Sequence, residues 1–329
     1  VPVQRRRPDA SWQDSTDVTP IELRSDPPLE VRIETGPLIR TTRLPAKPQL
    51  ATLLVGCTEQ PGIVASVATV LELHGVKILH SDQHTDPIDK MFFQRIRFDL
   101  ATLATDRVAL EGSVREVCER FGMEYRLYGD RKRRVAILVS KQDHCLYDLL
   151  ARWRAGELSC DITMIISNHA DAAPIAEHFD IPFHHLPVTK DTKARQEAAV
   201  IHLLYDAGIE LIVLARYMQI LSPDFVERFP TRIINIHHSF LPAFVGANPY
   251  RQAYQKGVKL IGATSHYVTS DLDQGPIIEQ ETVRCSHKDS VDDLVRKGRD
   301  LEKRVLASAL RCHLEDRIMV YSGKTVVFD

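Results

Sequence analysis

The chain has 329 residues, 44% of them hydrophobic and 26% charged, with a formal net charge of −2. That length and composition suit two globular domains, each with its own core, and the charge gives no reason to expect a nucleic-acid partner. No apolar run approaches the roughly 20 residues that a membrane span needs, and the six cysteines, none in a CxxC pair, point to free thiols in a reducing, cytoplasmic setting rather than to disulfides or a zinc centre.

Residues 1–47 read as a polar, proline-rich extended arm with little periodicity. Arg5, Arg6 and Arg7 invite a transit-peptide reading, but Asp9, Asp14 and Asp17 follow, and such peptides avoid acids. A first domain is expected over 48–130. An apolar run at 50–55 predicts a strand, and Thr58-Glu59-Gln60-Pro61-Gly62 a turn. Residues 63–73 place Ile63, Val67, Val70 and Leu71 at helical spacing, and His74-Gly75 ends that helix. Strands at 77–84 and 91–100, a helix at 106–121 and a strand at 123–128 complete the order βαββαβ. That order implies an antiparallel, ferredoxin-like sheet with both helices on one face.

The charged stretch 129–134 predicts a hinge, and a second domain is expected over 131–329. Short apolar runs at 135–139, 162–166, 211–214 and 233–236 read as buried parallel strands. Helical patterns at 145–154, 172–178, 192–206 and 223–229 alternate with them. The expected fold class is therefore α/β, a Rossmann-like, mostly parallel sheet preceded by the βαββαβ unit. In such sheets ligands bind outside the carboxyl ends of the strands.

Asn235 and His237 lie at one such end, two residues apart, so their side chains share a face. An amide beside an imidazole suits a carbonyl that becomes an oxyanion. Downstream, Asp273 precedes Gly275 on a loop that follows His266-Tyr267-Val268. Several plainer readings stand beside these. His184-His185 reads as structural or pocket-lining, and His238 as a packing residue facing away from His237. His266 is either an ordinary strand residue or a partner of Asp273. Asp271 rivals Asp273 as a base. Cys145, at a helix start, reads as a small packed residue rather than a nucleophile. No HExxH or close Cys/His set supports a metal site.

Asn235-x-His237 with Ser239-x-Leu241-Pro242, then Asp273 before Gly275, resembles the signature of the folate-dependent formyltransferase superfamily. The segment Leu214-Ala215-Arg216-Tyr217-Met218-Gln219-Ile220-Leu221 looks like that superfamily's folate-pocket lining. Three further stretches are similar to the formyltetrahydrofolate deformylase family: Ser140-Lys141-Gln142-Asp143-His144-Cys145-Leu146, Ile181-Pro182-Phe183-His184-His185, and Gly262-Ala263-Thr264-Ser265-His266-Tyr267. The resemblance implies a formyltransferase fold that hydrolyses 10-formyltetrahydrofolate to formate and tetrahydrofolate, with no cofactor beyond the folate substrate. It implies Asn235, His237 and Asp273 as catalytic residues, and Arg216, Tyr217, Met218, Ile220, Leu221, His266 and Gly275 as substrate-binding. Asn235 and His237 would donate to the oxyanion, and Asp273 would orient water and accept its proton.

The resemblance further implies that the βαββαβ unit is an ACT domain in a homo-oligomer, with glycine or methionine as effector. Gln60, Pro61, Gly62 and Ile63 would contact it, or would merely start a helix. Two departures stand out: Glu59 where related ACT domains often have Asp, and Asn248 where deformylases often have a basic residue. An amine-acceptor formyltransferase and a non-catalytic amino-acid sensor are the competing functions. Against the first, 140–144 lacks the glycines that would let backbone amides cradle a phosphate. Intact Asn235, His237 and Asp273 argue against the second.

Overall fold

The computed structural model describes residues 49–242 and 249–329. The expected arm and the departure at Asn248 lie outside the described residues. The first unit runs β1 (Leu50–Thr58), α1 (Ile63–Leu73), β2 (Lys77–Thr85), β3 (Met91–Asp99), α2 (Arg107–Phe121) and β4 (Glu124–Gly129). Its sheet has the order β2-β3-β1-β4 with every neighbour antiparallel.

Helical spacing explains the layer above that sheet. Ile63, Val67 and Leu71 of α1 and Leu110, Val114 and Cys118 of α2 form the buried stripes, and they join Leu53, Val55, Ile96 and Phe98 in one core. The Asp106 side chain caps α2 by accepting from the Ala109 N–H at 2.8 Å. Gly122, at φ 61°, closes the helix in the left-handed conformation. β1 is buried almost throughout rather than alternately, because its other face is covered too. Leu54 and Phe93 pack there with Phe328, against Met319 and Tyr321 of a C-terminal hairpin, β12 (Ile318–Tyr321) and β13 (Lys324–Val327).

The second sheet uses β5 (Arg133–Val139), β6 (Cys160–Ser167), β7 (Phe183–His185), β8 (Leu211–Ala215), β9 (Ile233–His237), β10 (Leu260–Tyr267) and β11 (Ile277–Arg284). Their order is β11-β10-β9-β8-β5-β6-β7. The pairs from β9 through β7 are parallel, and β10 and β11 add an antiparallel edge. Helices α3 (His144–Arg154), α4 (Ala173–His178), α5 (Lys193–Asp206), α6 (Pro223–Glu227) and α7 (Pro249–Lys256) connect them. The expected hinge at 129–134 is shorter than its charge suggested, because Arg133 and Arg134 already pair with β6 as the start of β5.

Sequence periodicity left α8 (Val291–Leu314) unassigned, although it is the longest of these helices at 24 residues. Ser290 and Asp293 form a capping box at its start. Its buried face carries Leu294, Leu301, Val305, Leu306 and Leu310, and also Gly298 and Glu302. No helix of the described residues is long and apolar enough to cross a membrane.

Candidate active site

The carboxyl ends of β5, β8 and β9 open on a cavity of about 620 Å³, within the usual range for small-molecule sites. One flank is apolar and is lined by Leu214, Met218, Ile220, Leu221, Val268 and Leu272. A second part of the lining, the polar flank, holds Gln142, Arg216, His238, Tyr250 and Glu302. Asn235, His237, His266 and Asp273 lie in the same lining.

Strand alternation and one tight loop bring the central group together. Asn235 and His237 are on β9, and His266 pairs with Asn235 across β10. The Asn235 amide lies 3.3 Å from His266 Nε2. His266 Nδ1 donates to the Tyr267 carbonyl at 2.9 Å, which fixes its tautomer and leaves Nε2 to face Asn235. Asp273 reaches the group because Gly275 lets its loop lie against β10: a Cβ there would fall 1.7 Å from the Tyr267 carbonyl oxygen. Asp273 itself holds φ 55°, a left-handed conformation of the kind that collects at functional sites.

The Asp273 carboxylate sits 3.2 Å from His237 Nδ1 and 3.7 Å from His266 Nε2. The hydrogen bond from His237, then the nearby His266 ring, holds its carboxyl well below the usual range. His237 is 7% exposed, and its Nε2 is a buried atom with no hydrogen-bond partner among the described residues. Nδ1 is therefore committed to Asp273, and Nε2 is the ring atom left for a ligand in the cavity.

The polar flank is a saturated network. Arg216 donates to Gln142 Oε1 at 2.9 Å and to His238 Nδ1 at 2.5 Å, and lies 3.4 Å from Glu302. His144 Nε2 and the Tyr250 hydroxyl donate to Glu302 at 2.7 and 2.5 Å. Burial drives the Glu302 carboxyl up, but the His144 bond and the Arg216 charge outweigh it, and the carboxyl stays below its ordinary value. Burial, then the Arg216 charge, pushes His238 down to about 4. A neutral His238 is what lets Nδ1 accept from Arg216.

Several sequence expectations are now placed. Met218 and Ile220 are not core residues: they are 58% and 61% exposed and line the cavity. Tyr217 also lines it, with its hydroxyl accepting from Gln196 at 3.0 Å. Gly275 does not line the cavity; its part is the close approach to β10. His238 does not face away from His237. β9 ends at His237, so alternation stops there, and the two rings stack at 5.3 Å. His184 and His185 lie on β7, away from this lining. Asp271 is exposed and outside the lining. Cys145 is fully buried in the core, and burial pushes its thiol up. His144, Cys145 and Glu302 bring potential ligand atoms within 4.8 Å of one another, but His144 already bonds Glu302 and the thiol is held protonated. In the first unit Gln60 Nε2 donates to the Phe121 carbonyl at 2.8 Å, and Gly62 caps α1 at φ 90°. Pro61 lies in the turn before that cap, while Ile63 belongs to the core.

Tyr250 and Glu302 escaped sequence reading. The signal for Glu302 was an acidic residue on the apolar face of a helix, one turn from Gly298 and Leu301–Val305. Tyr250 offered none: it reaches Glu302 only because Gly298 leaves room, since a Cβ there would lie 2.0 Å from its hydroxyl.

Fold and site together fall in the formyl transferase class, whose family model matches residues 133–310. A formyltetrahydrofolate deformylase from Synechocystis sp. is 54% identical, covering 84% of this chain and 98% of that one. The crystal structure of a formyltetrahydrofolate deformylase from Pseudomonas syringae pv. tomato superposes with a TM-score of 0.84 at 46% identity, over 86% of this chain and 96% of that one. This chain belongs to the formyltetrahydrofolate deformylase family. The fold of its second unit is shared more widely: glycinamide ribonucleotide transformylase 1 from Symbiobacterium toebii matches at a TM-score of 0.57 and 31% identity, over 61% of this chain and 97% of that one.

Proposed function

We propose that the chain hydrolyses 10-formyltetrahydrofolate to formate and tetrahydrofolate. The observation that carries this reading is the cavity itself: an apolar group, Met218, Ile220, Leu221 and Leu272, shares one lining with Asn235, His237 and Asp273. The folate lies along Met218, Ile220, Leu221 and Leu272, with its formyl carbon at the three polar residues. Asn235 donates to the carbonyl oxygen as it gains charge. His237 Nε2, its ring held at Nδ1 by Asp273, adds the second donor when protonated. Asp273 orients the water and accepts its proton as that oxygen attacks the formyl carbon. The oxygen–carbon bond forms, the carbon–N10 bond breaks, and N10 leaves with a proton. No cofactor enters these steps. Losing one oxyanion donor typically costs ~10²–10³-fold in rate.

The βαββαβ unit, 48–130, is read as an ACT regulatory domain and 131–329 as the catalytic domain. The ferredoxin-like strand order supports the first assignment. Glycine or methionine is the proposed effector, at the turn Gln60-Pro61-Gly62, and the assembly is a homo-oligomer in the cytoplasm. The six free, buried cysteines support a reducing compartment. The test is formate release from 10-formyltetrahydrofolate by the purified chain with no acceptor added. Stoichiometric formate and tetrahydrofolate are expected; absence of both refutes the reading.

A further inference from the structure

Arg216 is expensive where it stands. It is 6% exposed and holds φ 63°, a left-handed conformation that is unfavourable for a residue bearing a Cβ and costs a glycine almost nothing. Its charge is buried beside Glu302, which is 1% exposed, and buried ion pairs are seldom net stabilisers against apolar replacements. Glu302 needs the Tyr250 hydroxyl, and Tyr250 needs a glycine in the middle of α8, itself unfavourable in a helix interior. Stability alone selects none of these features, yet all of them converge on the polar flank of one cavity.

We infer that Arg216, held by Glu302, Gln142 and His238, is a specificity-determining plug that closes the polar flank to amine acceptors and leaves water as the nucleophile. The inference rests on the hydrolase reading above. With the folate along the apolar residues, the polar flank is the part of the lining left for a second substrate, and Arg216 stands in it. Water is small enough to pass the guanidinium. An acceptor with a body behind its amine is not, and a fixed cation also disfavours the ammonium form that such acceptors adopt in solution. Exclusion by clash and like charge is the ordinary way to gain selectivity without tighter binding.

If the plug is removed, an amine nitrogen attacks the formyl carbon, the carbon–N10 bond breaks, and the proton lost by the amine goes to N10. The products are the N-formyl amine and tetrahydrofolate. No oxidant or further reactant is required.

The experiment measures how the formyl group partitions between formate and N-formylglycinamide when 10-formyltetrahydrofolate is turned over with glycinamide present. The native chain is expected to give formate alone as glycinamide is raised. R216G, which relieves the backbone, and R216N, whose short side chain also tolerates that conformation, are expected to raise the N-formyl share at least roughly tenfold. Guanidinium ion added to R216G should refill the space and return the partition toward formate, which a merely structural role would not do. Native enzyme that formylates glycinamide overturns the inference, and that outcome needs no mutant to fold. Folded variants that still release only formate overturn it too. A native chain that releases no formate at all instead refutes the hydrolase reading.

Discussion

The two sheets bury their polar groups differently. In the four-stranded unit the buried polar side chains serve the architecture. His74 ties the end of α1 to Thr105 and Ser113 at 2.6 and 2.9 Å. Arg95 donates to the Asp316 and Glu315 carbonyls, both at 2.9 Å, at the end of α8. Both have partners within the protein, while Gln94 donates to the Ser81 hydroxyl at 3.1 Å and leaves its buried Oε1 without a hydrogen-bond partner among the described residues, outside the cavity lining. In the seven-stranded unit buried polar groups gather at the strands' carboxyl ends, and one of them, His237 Nε2, has no partner among the described residues and lies in the lining of the cavity. The difference teaches where function lies. A buried polar group that is satisfied holds a fold together, while one left open toward a cavity is held ready for a ligand.

The comparison breaks most directly at Asp273 and His237. Asp273→Asn and His237→Ala are each expected to lower kcat by about 10³-fold or more while the protein stays folded; steady-state formate release measures it, and near-native turnover in either variant would remove that residue from the chemistry. Next in size is Gly275→Ala, where the new methyl meets the Tyr267 carbonyl oxygen. The Asp273 loop must then lift, and kcat should fall by about 10²-fold for a displacement of roughly 1 Å, with secondary structure by circular dichroism unchanged.

The four-stranded unit should answer in stability rather than rate. Leu110→Ala, at a position 1% exposed, is expected to cost about 2–5 kcal/mol in urea unfolding with KM unchanged. A large loss of kcat in the folded variant would contradict the division drawn here.

Acid should affect stability through two histidines that the fold buries uncharged. Burial and Arg216 push His238 down to about 4, and burial pushes His313 down to about 3, both from 6.5. In that window the unfolded chain binds the extra protons, so stability is highest above pH 6.5 and declines as pH falls toward 3 to 4. Urea midpoints measured across that range should fall with pH, and a flat profile would show that these rings are not buried neutral. The smallest effect is Asp106→Ala, which removes the α2 cap and should cost about 1 kcal/mol.

Local chemistry decided much of this molecule in advance. Helix α1 begins and ends where Ile63 to Leu73 keep their spacing between Gly62 and His74, and α2 follows directly on Asp106. The four parallel strands at the centre of the second sheet are short apolar runs because helices cover both faces. Asn235 and His237 share a face by strand geometry, so their pairing was legible from two positions in the chain. The resemblance of their neighbourhood to formyltransferases supplied Asp273. What remained hidden was long-range. β12 and β13 look like weak strands until Phe93 and Leu54 of the other sheet cover them. Glu302 lies 86 positions beyond Arg216 in the numbering, and no periodicity says that a carboxylate on α8 will meet that guanidinium.

The sequence by itself therefore determined the elements of the first unit, the central parallel strands of the second and the shared face of Asn235 and His237, because helix and strand periods, caps and strand alternation act within a few residues. Only the tertiary structure decided which flank of the cavity is apolar and which is plugged, and that His237 keeps Nε2 open while Nδ1 is held. Those facts depend on groups from β5, β8, β9, α7 and α8 meeting at one place, and chain closure rather than local preference brings them there.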